Sequence, residues 1–217
     1  MKVGTDGMLL GAWAPIDGAQ RVLDIGTGTG LLALMLAQRA PEAQIDAVEI
    51  DALAAAQATD NVQASPFAAR ISIHAQAIQT WHHAVGYDLI VSNPPYFAAG
   101  IPPDDPARLQ ARHQQSLDLP TLLKRSSEWL APLGQAAFVF PYDQAARWQA
   151  EAARWGLLPQ RMLRVRPTPT KPFRRLLISF SRAGGPVEEA DLVIQREDSL
   201  EYSAGYRALT QAFYLIF

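Results

Sequence analysis

Two short stretches hold side chains whose types and spacing could do chemistry. In the first, Asp24 lies in the apolar run Val22-Leu-Asp-Ile25, which enters Gly26-Thr-Gly-Thr-Gly30. In the second, Tyr87-Asp-Leu-Ile-Val-Ser92 is closed by Asn93-Pro-Pro-Tyr96. Glycines let a ligand approach the backbone, and Gly26, Gly28 and Gly30 are expected to offer it their amides. The spacing Gly-x-Gly-x-Gly differs from the dinucleotide fingerprint. A carboxylate at Asp24 welcomes an amine and would repel a pyrophosphate. Glu49 ends the next apolar run, where an acid can accept hydrogen bonds from ribose hydroxyls. A ligand with a ribose, an amine and a carboxylate but no phosphate fits that polarity. S-adenosylmethionine, with S-adenosylhomocysteine as product, answers the description, whereas NAD, the main competitor, is disfavoured by Asp24.

The second stretch suits a planar amine. An exocyclic amine on a base is a weak nucleophile because its lone pair is delocalised into the ring. Acceptors aimed at its N–H bonds draw the nitrogen toward tetrahedral geometry and free the lone pair for an electrophilic methyl. The Asn93 side-chain carbonyl and the Pro94 backbone carbonyl are such acceptors, and Pro94 and Pro95 hold them rigidly. Tyr96 offers a face on which an extruded base could stack. Each stretch alone also reads as an ordinary feature: a strand–turn–helix corner, and a proline-rich turn capped by Asn93. In this order they pair a methyl donor with a planar acceptor.

The elements that position them alternate. Residues 21–25 read as a buried strand, 31–39 as a helix stopped before Pro41, and 44–50 as a second strand. A helix over 51–62, a strand over 70–74, a short helical or loop segment over 78–83 and a strand over 87–92 follow. This rhythm predicts a parallel sheet with helices on both faces. Upstream, Thr5 and Asp6 are expected to cap a helix carrying Met8, Leu9 and Trp13, in a start that reads as cut short. Residues 97–118, with Pro102, Pro103 and Pro106, form a long loop of the kind that carries function. A helix over 119–130, a turn at Pro132-Leu-Gly134, a strand over 135–140 and a helix over 143–155 come next. Strands over 158–166 and 174–181, joined by a proline-rich loop, read as an antiparallel hairpin at the sheet edge, and a helix over 204–213 closes the chain. The expectation is α/β: a mostly parallel seven-stranded sheet with an antiparallel edge hairpin, in a single domain over residues 1–217.

Composition bounds the rest. The chain has 217 residues, 49% hydrophobic and 18% charged, which fits one large domain. No cysteine is present, which excludes disulfides, thiolate metal sites and cysteine nucleophiles. No apolar run approaches bilayer length, so a cytoplasmic location and no membrane association are expected. No obligate protein partner is expected either. His74, His82, His83 and His113 lack metal-ligand spacing, the adjacent Asp104 and Asp105 read as solvated, and no metal is expected. The net charge of −2 hides an asymmetry. Residues 152–187 contain no acid but eight basic residues, including Arg161, Arg164, Arg166, Lys171, Arg174 and Arg175. Such a window suits a polyanion, and these six are the candidate RNA contacts. Alternation puts Arg164 and Arg166 on one strand face, while Phe173 is expected to pack on the sheet.

On these residues the chain resembles class I S-adenosylmethionine-dependent methyltransferases of the amino-methylating branch, which are Rossmann-like. More closely it resembles the bacterial tRNA1(Val) adenine-N6-methyltransferase family, which modifies adenine 37 beside the anticodon. Met1-Lys-Val-Gly-Thr-Asp-Gly7, Leu10-Gly-Ala-Trp-Ala-Pro15, Leu23-Asp-Ile-Gly26, Asp46-Ala-Val-Glu49 and Asp88 through Tyr96 carry the likeness. Tyr202-Ser203 and Ala208-Leu-Thr-Gln-Ala-Phe-Tyr-Leu215 complete it. The resemblance implies cofactor contacts from Asp24, Gly26, Gly28 and Gly30, with Glu49 and Ile50 at the ribose. It implies that Lys2, Thr5 and Asp6 lie near the pocket, that Ala77 and Ile78 lie at the cofactor's adenine, and that Asn93 and Tyr96 hold and stack the amine. Relatives usually carry an acid where this chain has Ala77, so adenine recognition here is expected to rest on backbone groups. Relatives also carry a segment ahead of Met1 that supplies residues above the pocket. The implied activity is N6-methylation of adenine in tRNA. Another planar amine, on an rRNA or DNA base or a protein glutamine, is the alternative, and the basic window favours RNA.

Overall fold

The structure, a computed structural model, describes residues 4–94, 117–197, 199 and 201–215. Lys2, Pro95, Tyr96, Asp104, Asp105, His113 and all of residues 97–116 lie outside the described residues. An eight-stranded sheet runs through the molecule in the order β3-β2-β1-β4-β5-β7-β6-β8. Its strands are β1 (Arg21–Ile25), β2 (Gln44–Glu49), β3 (Ile71–Ala75), β4 (Tyr87–Ser92), β5 (Leu130–Pro141), β6 (Leu158–Arg166), β7 (Arg175–Ser181) and β8 (Glu188–Val193). The first five pair in parallel, β7 runs antiparallel to both β5 and β6, and β8 pairs in parallel with β6.

Helices cover both faces because the strands are apolar on both. The first face buries Val22, Leu89, Ala137 and Leu177 under α1 (Thr5–Trp13), α2 (Leu31–Arg39), α3 (Ala52–Gln63) and α6 (Ala204–Thr210). The second buries Leu23, Ile90, Phe138 and Ile178 under α4 (Leu119–Trp129) and α5 (Ala145–Arg154). Leucine and alanine on α2 bury their apolar stripe, and Arg70 closes its end by donating to the carbonyls of Ala37 and Ala40 at 2.7 and 2.8 Å.

Three expectations need correction. The sheet has an eighth strand, β8, so the β6–β7 hairpin is covered and β8 is the edge. The edge strand shows almost no apolar signal because only Leu192 is buried in it. The turn at Pro132–Gly134 lies inside β5. The register jumps from Tyr87 opposite Leu130 to Leu89 opposite Gln135, so the extra residues bulge out with Leu133 exposed. Finally, Thr5 and Asp6 do not cap α1: Gly4 is the N-cap without a side-chain bond, and Asp6 turns to Arg175.

The bulge explains Gly134. A Cβ there would lie 2.6 Å from the Tyr87 carbonyl oxygen, against backbone that cannot swing away. Gly134→Ala should therefore lower the urea midpoint by an amount worth roughly 1–3 kcal/mol. Gly185→Ala, where a Cβ meets nothing within 4 Å, should leave the midpoint in place.

Candidate active site

The sheet order reverses at β1, which pairs with β2 on one side and β4 on the other. In an open α/β sheet the crevice beyond the carboxyl ends of strands at such a point is the natural ligand site. Here Ser92, fully buried at the end of β4, donates its hydroxyl to the Ile25 carbonyl at 2.7 Å. That bond fixes Asn93 beside the glycine turn. The first turn of α1 and the start of β7 complete the walls of a cleft of about 1770 Å3, measured out to its open mouth.

Asp24, Gly26, Gly28, Glu49, Ile50, Asn93 and Pro94 all line this cleft, as do Thr5 and Asp6. Gly30 does not. It is the left-handed N-cap of α2 with φ +84°, and a Cβ there would meet Ala58 at 3.4 Å, so it serves packing of α2 on α3. Ala77 lies outside the wall, whereas Ile78 lines a narrow extension beyond Glu49. Sequence reasoning missed Thr27, Ser92 and Leu117 in the cleft and Gln76 and Gln79 in the extension. Ser92 had a usable signal as the residue that must hand β4 over to Asn93.

The glycine turn differs from its expected role. Gly26 and Thr27 donate their amides to the Val48 carbonyl at 2.8 and 3.2 Å, Gly28 donates to Glu49 Oε2 at 2.8 Å, and Gly30 to the Thr27 carbonyl at 3.1 Å. These donors are consumed within the protein. What the turn supplies is shape: φ is +73° at Gly26 and +61° at Gly28, a left-handed backbone that brings both glycines to the cleft wall. Glu49 in turn bridges Gly28 to the Asp51 amide, which reaches Oε1 at 2.9 Å. A carboxylate has about four lone-pair sites, so each oxygen keeps capacity for a ligand hydroxyl.

Asp24 is 1% exposed. Its Oδ2 accepts from the Thr27 hydroxyl at 2.5 Å, while Oδ1 is buried with no hydrogen-bond partner among the described residues. Burial pushes its pKa up to about 7, opposed by the Thr27 hydroxyl and reinforced by the charge of Glu49. The Ala33 amide pulls weakly the other way, short of hydrogen-bond geometry. An unpartnered buried acceptor is costly unless something supplies a donor. A ligand ammonium would do so, and this is the observation that fits S-adenosylmethionine to the cleft.

At the mouth, Arg175 Nε donates to Asp6 Oδ2 at 2.7 Å, tying β7 to α1. The other candidate RNA contacts divide. Arg161 pairs with Glu188 at 3.0 Å and stacks over Trp13 on the first face, whereas Arg164 pairs with Asp191 at 2.7 Å. Arg164 and Arg166 both lie over the Phe173 ring, at 5.4 and 5.3 Å, and Phe173 meets Tyr142 at 5.3 Å. Lys171 and Arg174 are exposed. Neither has a carboxylate within 4 Å among the described residues. Because β7 runs antiparallel to both β5 and β6, the loop from Arg166 to Arg175 sits at the cleft end of the sheet. Among the described residues no group of three His, Asp or Glu side chains is placed to hold a metal, and no helix is long and apolar enough to cross a membrane.

Comparison with known proteins agrees with this architecture. The methyltransferase small domain family matches residues 6–107. A tRNA1(Val) (adenine(37)-N6)-methyltransferase of Serratia proteamaculans is 47% identical over all of this chain and 85% of its own length. One of Aeromonas hydrophila is 48% identical, covering 99% of this chain and 91% of its own. Among solved structures, a predicted O-methyltransferase of Agrobacterium tumefaciens superposes with a TM-score of 0.73 at 18% identity, covering 95% of both chains. That likeness shows the Rossmann-like fold alone. Near-full-length identity close to one half decides the family: the chain belongs to the tRNA1(Val) (adenine(37)-N6)-methyltransferases.

Proposed function

We propose that the protein transfers the methyl group of S-adenosylmethionine to N6 of adenine 37 in tRNA1(Val). The observation that carries this is the meeting, in one cleft, of the unpartnered Asp24 oxygen with Asn93 and Pro94. Relatives with that activity in their names are 47–48% identical. When bound, S-adenosylmethionine supplies an electrophilic methyl on a positively charged sulfur.

The residues of this chain supply the rest. Asp24 Oδ1 would hold the ammonium of the amino-acid part, and Glu49 would accept the ribose hydroxyls while still braced by Gly28 and Asp51. The Asn93 side-chain carbonyl and the Pro94 carbonyl accept the two N–H bonds of the adenine amine, turning its lone pair toward the methyl. The amine nitrogen would take up the methyl that the cofactor supplies and would release its proton only afterwards. No strong base is needed beforehand, so positioning carries most of the rate. Pro95 and Tyr96, outside the described residues, complete this reading as the rigid support and the stacking face.

The Arg166–Arg175 loop is our candidate for the tRNA phosphate contacts. Lys171 and Arg174 lead because they are exposed without carboxylate partners among the described residues. Arg166 and Arg175 stand behind them. Arg161 and Arg164, compensated by the acids of β8, should contribute less. A tRNA substrate places the reaction in the cytoplasm, and the single continuous sheet supports one working domain. Titrating tRNA binding at several salt concentrations tests the surface. The double variant Lys171→Ala/Arg174→Ala should flatten log K against log salt by roughly 1 for each phosphate that is no longer neutralised, while Arg161→Ala leaves the slope alone. An unchanged slope in the double variant would put the tRNA elsewhere.

A further inference from the structure

Beyond Glu49 the cleft runs into a slot of about 300 Å3, measured out to solvent. Ile25, Val48 and Ile78 give it apolar walls, and Glu49 borders both slot and cleft. A nucleoside whose ribose is held at Glu49 would carry its base into this slot. The remaining polar side chains at the slot, among the described residues, are the carboxamides of Gln76 and Gln79.

Ala77 has no carbonyl lone pair left to offer a ligand. Its carbonyl already accepts from the Thr80 amide at 3.0 Å and the Thr80 hydroxyl at 2.9 Å, which occupies both lone pairs. The Gln76 side chain, by contrast, is half-buried and has no hydrogen-bond partner among the described residues. Gln79 is exposed at the slot border, with its backbone anchored where its carbonyl accepts from Arg125 Nη2 at 2.9 Å.

We propose that Gln76, with Gln79 covering the exposed end, reads the hydrogen-bonding edge of the cofactor's base as a neutral carboxamide. The inference rests on the cofactor reading above. A carboxamide presents a donor and an acceptor side by side, which matches the amine and neighbouring ring nitrogen of adenine. A carboxylate could only accept. Because a carboxamide can also turn over, it can serve the 6-oxo group and ring N–H of hypoxanthine. The slot should therefore discriminate weakly between the two bases.

Calorimetric titration of S-adenosylhomocysteine and its 6-oxo analogue, S-inosylhomocysteine, tests this without any turnover. Wild type should bind the two within about tenfold of each other. Gln76→Ala should weaken S-adenosylhomocysteine binding about tenfold and Gln79→Ala about threefold, as expected for losing neutral hydrogen bonds. Gln76→Glu should weaken both compounds by roughly tenfold, because a carboxylate finds one donor in each base and sets its other oxygen against an acceptor, ring N1 of adenine or the 6-oxo group. Equal ligand-free melting temperatures across the set show that folding is unaffected. If wild type binds S-adenosylhomocysteine and both alanine variants match it within about twofold, the inference is wrong. If wild type binds neither compound, the cofactor reading itself has failed.

Discussion

Asn93→Ala should lower kcat for methyl transfer by roughly 10²- to 10³-fold, the range seen when one preorganised polar group facing a reacting centre is deleted. Asn93 sits directly after Ser92, whose buried bond to the Ile25 carbonyl fixes the end of β4 against the glycine turn. Its side-chain amide nitrogen lies 3.8 Å from where a Cβ on Gly7 would be, so α1 backs the residue from one side. The backbone is thus fixed on one flank and the side chain backed on the other, so truncation should remove the acceptor without collapsing the site. Asn93→Asp keeps an acceptor on the same stem and should retain more activity than Asn93→Ala. Cofactor affinity should fall by no more than one hydrogen bond, about tenfold. Steady-state kinetics with titrated cofactor separates these outcomes. Alanine and wild type with equal kcat would remove Asn93 from the chemistry.

Asp24 governs the second large effect, with a sign that differs for the free and loaded protein. Its pKa is raised to about 7 chiefly by burial. A raised folded-state pKa means the stability from this group is fully present below the unfolded value near 3.8 and is lost as pH climbs to about 7. The loss is on the order of 4 kcal/mol for a shift of about three units. Asp24→Asn keeps an acceptor for the Thr27 hydroxyl and removes the charge. In thermal melts the ligand-free variant should match wild type near pH 4 and exceed it near pH 8. Cofactor binding moves oppositely, because an ammonium needs Asp24 ionised. Wild-type affinity should fall about tenfold per pH unit below 7 and level off above it. One proton should be released on binding at pH 6, readable by calorimetry in two buffers. In Asp24→Asn affinity should be weak and that slope absent. A variant that binds like wild type at pH 8 would contradict the assignment.

Such a carboxylate is a stability sacrifice at a working site. Its position was legible in the sequence because β1 and β4 are mostly apolar runs, as strands of a sheet buried on both faces require. The places where sequence reasoning fell short share a physical cause. β8 reads Glu-Glu-Ala-Asp-Leu-Val, with only Leu192 buried, because an edge strand needs few apolar neighbours. Its signal was electrostatic: Arg161 faces Glu188 and Arg164 faces Asp191 in register. That same pairing splits the basic window, which in sequence looks uniform. Arg182 spends its guanidinium on the Leu130 and Ser127 carbonyls at the far end of β7, and Arg154 pairs with Glu151. Charge counted along a chain cannot show which cations are already compensated in space. Glycine amides pose the same difficulty, since the turn could be recognised but not where its N–H groups go. Gln76 gave no signal at all, because a polar residue just past a strand end looks like any loop residue.

The central claim is that this chain methylates N6 of one adenine beside the anticodon of a tRNA. Purified protein, methyl-labelled S-adenosylmethionine and total bacterial tRNA are the only components needed to test it. Nuclease digestion and mass spectrometry then locate the label. The account predicts N6-methyladenine at position 37 of tRNA1(Val), and no label when Asn93 is alanine. Label in protein, in another base, or undiminished in Asn93→Ala would contradict it.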